Sequence, residues 1–108
     1  LHEGIGRSSA DVVSHGMTLA RDHGFLVLTG EARNISRREL PQLEAVVELF
    51  DENGRLVEVE TGLVKVGSIA AGDEAPFEVQ AKDDASISSY RVRFRNLTGT
   101  SISSRTEA

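Results

Sequence analysis

The chain has 108 residues, no cysteine, and 12 basic against 17 acidic side chains for a net charge of -5. That length makes one domain, able to bury about two thirds of its unfolded surface without a disulfide or metal. The acidic balance argues against a nucleic-acid-binding face, and the missing cysteines remove disulfides, thiolate-metal centres and a cysteine nucleophile together.

No apolar run approaches the roughly 20 residues of a membrane span, and no signal peptide is visible. The chain begins at Leu1 rather than Met, so a fragment is expected, from which a leader, an anchor or a neighbouring domain has been removed.

Residues 1–9 (LHEGIGRSS) carry glycine and serine without apolar periodicity and read as a tether. Ala10-Asp11-Val12-Val13 could open a short helix capped by Ser9. Gly16 interrupts the helix, so the preferred reading is a first short strand at Met17-Thr18-Leu19-Ala20. Asp22-His23-Gly24 is a turn. Phe25 to Ile35 is a long strand with Leu26, Leu28, Gly30, Ala32 and Asn34 on its inner face. An inward Asn34 needs hydrogen-bond partners, and pinning the loop 36–41 supplies them.

Leu43 to Phe50 alternates Leu43, Ala45, Val47 and Leu49 against Glu44, Val46, Glu48 and Phe50, and Asp51-Glu52-Asn53-Gly54 turns the chain into a hairpin. The return strand runs over 55–66. Its parity changes beside Gly62, as at a bulge or a bend between sheets. Ala70-Ala71-Gly72-Asp73 is a turn, with Gly72 suited to a positive φ. Phe77 and Val79 then mark a strand. Tyr90, Val92 and Phe94 point inward from another, with Arg91, Arg93 and Arg95 outward. Residues 98–108 are expected to fray, with Ile102 a possible anchor for a short terminal strand. The spacing predicts an immunoglobulin-like antiparallel β-sandwich of about seven strands over residues 10–97.

Three segments carry a family resemblance: Thr29-Gly30-Glu31-Ala32-Arg33-Asn34-Ile35-Ser36, then Val47-Glu48-Leu49-Phe50-Asp51-Glu52-Asn53-Gly54, then Ala71-Gly72-Asp73-Glu74-Ala75-Pro76-Phe77. In order and spacing they resemble the FxLYD domain of bacteria and archaea. Val47 stands for that pattern's Phe, Phe50 for its Tyr, Ala71 for a Pro and Asp73 for a Glu. The resemblance covers about residues 25–95. It implies an immunoglobulin-like sandwich on envelope or secreted proteins, with structural rather than catalytic motif residues: Gly30, Asn34, Ser36, Val47, Leu49, Phe50, Asp51, Gly54, Gly72 and Phe77.

Candidate chemistry is sparse. His15 and His23 bracket the expected first strand and could approach across a turn, with Asp11 or Asp22 adding oxygen, as the beginning of a metal site. Three separate loop histidines, counting His2, are the plainer reading. Glu44, Glu48, Glu58 and Glu60 are assigned to the outer faces of two neighbouring strands, where they pair with the Arg91, Arg93, Arg95 row if those strands adjoin. Asp51-Glu52-Asn53-Gly54 resembles part of a calcium loop but has Leu49 at the first ligand position and strands on both flanks. Asn34-Ile35-Ser36 and Asn96-Leu97-Thr98 fit the glycan-acceptor pattern, which an inward Asn34 cannot use. No nucleophile motif or phosphate loop is present.

The expectation is therefore a non-catalytic protein-interaction or spacer module, extracytoplasmic in the periplasm, envelope or secreted fraction, without cofactor. Its partner would be another protein, met at an edge strand or turn loops, and weak homodimerisation would use the same edge. The alternative is a small periplasmic metal- or ligand-binding protein using His15 and His23.

Overall fold

The computed structural model describes residues 10–107; the expected tether over 1–9, His2 included, lies outside the described residues. Those residues form strands and no helix: β1 (Val12–Asp22), β2 (Phe25–Asn34), β3 (Leu40–Pro41), β4 (Leu43–Asp51), β5 (Leu56–Leu63), β6 (Ser68–Ile69), β7 (Glu74–Lys82), β8 (Ile87–Asn96), β9 (Ser101–Ile102) and β10 (Ser104–Thr106). One sheet has the order β10-β1-β2-β7, the other β5-β4-β8-β9, and β3 pairs with β6 in a short ribbon. The all-β sandwich is as expected. Taking β9 and β10 as one interrupted final strand, it has the A-B-E against C′-C-F-G arrangement of immunoglobulin-like folds.

Alternation builds the core. From β2, Leu26, Leu28 and Ala32 point inward, and from β4, Leu43, Ala45, Val47 and Leu49 do so; all are at most 2% exposed. Phe77 of β7 and Phe94 of β8 meet edge to face, with ring centroids 5.4 Å apart and planes at 88°. That geometry sets the positive ring edge against the negative face.

Three elements differ from the sequence reading. The first strand is longer than Met17–Ala20, because Gly16 does not end it. Gly16 takes φ +61° within a bulge, where the β1–β2 register shifts between His15 and Thr18. The bulge lays the Met17 sulfur over Gly30, only 2.3 Å from where a Gly30 Cβ would stand. The return strand stops at Leu63. There the chain bends from one sheet to the other: Val64 bridges Phe77, and the Lys65 N–H donates to the Pro76 carbonyl at 3.0 Å. Beyond Asn96 the chain was expected to fray except for a short strand anchored by Ile102; that strand is β9, and a second, β10, follows it. β9 pairs antiparallel with β8, and β10 pairs parallel with β1, so one segment covers an end of both sheets.

Candidate functional site

The motif residues fall on structural duties. Asn34 is 0% exposed. Its Nδ2 donates to the Arg38 and Ile69 carbonyls, each at 2.8 Å, while its Oδ1 accepts from the Ser36 N–H at 2.9 Å and hydroxyl at 2.6 Å. Asn34 thus ties two loops together, and its main chain adds the Gly72 N–H at 2.8 Å and the Asp73 carbonyl at 2.9 Å. Gly72 holds φ +87° within the Ala70–Asp73 turn. Gly30, Val47, Leu49 and Phe77 are buried.

Asp51 shapes the β4–β5 hairpin. Its Oδ1 accepts from the Asn53 and Arg55 N–H groups, both at 2.9 Å, and Gly54 supplies φ +79°. Its carboxylate caps its own turn. The same device recurs between β8 and β9. Asn96 Oδ1 accepts from the Thr98 N–H at 3.0 Å, its hydroxyl at 2.7 Å and the Thr100 N–H at 2.9 Å, and Gly99 takes φ +91°. This second turn was legible as Asn-x-x-Gly, the pattern that Asp51 and Gly54 share.

The histidines do not converge. His15 sits in β1 opposite Glu31, with Nε2 2.9 Å from Glu74 Oε1. His23 is at the β1–β2 hairpin tip, φ +49°, against Asp22. Because β1 runs extended from His15 to Asp22 apart from its one bulge, the two positions stand roughly 20 Å apart along the strand. The approach across a turn envisaged for them fails. No cluster of three or more His, Cys, Asp or Glu side chains is placed to hold a metal ion among the described residues.

What stands out is the outer face of the β5-β4-β8 sheet. β4 and β8 are antiparallel, with Glu44 opposite Arg95, Val46 opposite Arg93 and Glu48 opposite Arg91. The rows pair: Glu48 Oε1 accepts from Arg91 Nε at 2.8 Å and lies 3.4 Å from Arg93 Nε, while Glu44 Oε1 accepts from Arg95 Nε at 2.7 Å. The hydrogen-bonded Arg91 guanidinium holds the Glu48 carboxyl below the usual carboxylate range, burial opposes it, and the charges of Arg93 and Arg91 add to the lowering. Val46, of outward parity, is only 2% exposed, flanked by this ladder. Arg91 also lies over the Phe50 ring, 5.9 Å from its centroid, a cation–π contact.

Beside the ladder, β5 reverses the expected assignment. Glu58 lies opposite Leu49 and Glu60 opposite Val47, so both glutamates point toward the facing sheet and not outward with Glu44 and Glu48. The cause is a bulge: Phe50 pairs with Leu56 and Leu49 with Glu58, leaving Val57 extra and shifting the count by one. A one-residue slip exchanges the faces of a strand. The outer face of β5 therefore carries Leu56, Val59 and Leu63, exposed by 55%, 44% and 52%. Glu58 is pushed above the usual carboxylate range, first by its hydrogen bond with Glu60, then by burial and by the charges of Glu60 and Asp84, with Lys82 opposing.

Two surface depressions lie among the described residues. One, of about 380 Å³, lies between Asp51–Asn53 and Ala85–Ser88. The other, of about 240 Å³, has Thr18, Thr29, Glu31 and Lys65 on its wall. In the first, Asp51 is engaged by its turn, and Ser86 is held by Asp84 Oδ1 at 2.8 Å. In the second, the two threonine hydroxyls bond each other at 2.5 Å. Neither wall contains a histidine.

No protein-family model matches the chain, and no curated protein matches it. Among solved structures it is similar to IrmA from Escherichia coli, with a TM-score of 0.65 at 6% identity over 89% of this chain and 90% of that one. It is also similar to a DUF1425 family member from Shewanella, with a TM-score of 0.53 at 17% identity over 79% of this chain and 75% of that one. At such identities the likeness is one of fold, and it agrees with the sandwich described above.

Proposed function

We propose that this domain is a non-catalytic protein-interaction module of a bacterial extracytoplasmic protein, envelope-bound or secreted, and that it works through the outer face and open edge of the β5-β4-β8 sheet. One observation carries the reading: Leu56, Val59 and Leu63 lie exposed along one edge strand beside a ladder of paired charges. Concentrated apolar exposure rimmed by polar groups is the signature of a contact surface. The absence of catalysis is supported by divergent histidines and by outer-face carboxylates engaged with arginine. The compartment and the bacterial setting are supported by the FxLYD resemblance, and the structural neighbours named above come from bacteria.

A photo-crosslinking residue placed at Val59, with Phe25 on the opposite sheet as control, tests this in cells of the source organism. A discrete protein adduct from position 59, suppressed by excess unlabelled domain and absent from position 25, is expected in the extracytoplasmic fraction. The absence of any adduct from position 59 would make the domain a spacer.

A further inference from the structure

β5 is an edge strand: it pairs with β4 and with no other strand among the described residues. The crossing at Gly62–Val64 closes its upper end, where a Cβ on Gly62 would stand 2.2 Å from the Glu78 carbonyl oxygen. The open run is Leu56–Thr61. Soluble proteins guard such edges with charges, bulges or prolines. Here the two faces of the strand are guarded unequally, with aliphatic side chains outward and Glu58 and Glu60 inward.

That asymmetry selects among partners. In an antiparallel pair, opposed residues share a face. A second copy docking β5 on β5 with its outer face continuous would set glutamate against glutamate in the central registers, Glu58 across from Glu60 or Glu60 across from itself. Like charges directly opposite are destabilising. The two glutamates already burden each other, as the raised proton affinity of Glu58 shows. Self-pairing through this edge is therefore opposed, and a strand bringing positive charge to the same positions is favoured. The neighbouring charges are Lys82, which offsets the acidic field, and Asp84, which adds to it.

We infer that the open edge of β5 accepts an extended protein segment that alternates basic and apolar residues, with lysine or arginine facing Glu58 and Glu60 and aliphatic side chains lying beside Leu56 and Val59. Main-chain hydrogen bonds would supply attachment and the alternating side chains the selectivity, as in other strand additions. The inference rests on the interaction-module reading and names its partner's chemistry.

The test titrates the full chain with three synthetic decapeptides: one alternating lysine and valine, one alternating glutamate and valine, and a lysine/valine isomer with its lysines clustered. The alternating lysine peptide is expected to bind at least tenfold tighter than either of the others, with slowed amide exchange confined to β5. In the Glu58→Gln/Glu60→Gln variant, the preference for lysine over glutamate should fall to within about twofold while the domain stays folded. Equal binding of the lysine and glutamate peptides, protection on another strand, or a preference that survives the double substitution would each overturn the inference. If none of the peptides binds but position 59 still crosslinks a protein in cells, the partner chemistry alone is wrong. If position 59 crosslinks nothing either, the module reading falls with it.

Discussion

Replacing Asn34 with alanine should cost about 3–4 kcal/mol. The side chain makes four hydrogen bonds at 2.6 to 2.9 Å from a fully buried site. They are not equally costly to lose. The Arg38 carbonyl keeps a second donor, the Ser36 hydroxyl at 3.0 Å, and Ser36 lies near enough to solvent for water to substitute. The bond to the Ile69 carbonyl is buried, and its loss strands an acceptor at roughly 1–3 kcal/mol. Taking about 2 kcal/mol for that acceptor, the three replaceable bonds add about 0.5 kcal/mol each, which brings the total to the stated value. Each kcal/mol moves the midpoint of a domain near this size by roughly 4–8 °C, so thermal or urea unfolding reads it easily. Asn34→Asp is the sharper control. It keeps the shape but turns an oxygen toward two carbonyls, so it should cost more than alanine at pH 7, and its deficit should narrow as acid restores one donor. An alanine variant within about 1 kcal/mol of the parent, or an aspartate variant milder than alanine, would refute the reasoning.

Gly62→Ala should destabilise by roughly 1–3 kcal/mol, because the new methyl meets the Glu78 main chain. Gly30→Ala should cost less, since its obstacle is the end of the flexible Met17 side chain; chemical denaturation of both variants gives the ranking. Glu48→Gln removes ion pairs to Arg91 and Arg93 and should cost about 0.5–1.5 kcal/mol. The folded state holds the Glu48 carboxyl below its unfolded range, so its contribution is present above the unfolded value and is lost as pH falls through the folded one. A stability-against-pH curve in the variant should lose that part of the acid slope. Glu58 has the opposite sign: its folded value is raised, so its stabilisation is present below the unfolded value and is lost as pH rises through the folded one. Glu58→Gln should therefore raise the unfolding midpoint at pH 7 relative to the parent and leave it little changed near pH 4.

Much of the fold was written locally. The alternation of Leu43 to Phe50, the Asp-x-x-Gly hairpin after it, and the inward row ending at Asn34 each depend on residues within one strand or turn, and period-two patterning makes such faces readable. The pairing of Glu44 and Glu48 with the arginine row was conditional on strand adjacency, which β4 beside β8 provides. The candidate contact surface was not readable in this way. Its exposed residues depend on which residue of β5 opposes which residue of β4, and a single extra residue at Val57 moves Glu58 and Glu60 inward and Val59 and Leu63 outward. Gly16 misled for a similar reason, since a positive φ that would end a helix is accommodated in a strand once a bulge gives Met17 a place over Gly30. Local pattern determined the strands, turns and sandwich class, because those follow from side-chain alternation and backbone preference within a few residues. Register, bulges and the identity of the open edge were decided by tertiary structure alone, because they are set by packing between segments distant in the chain.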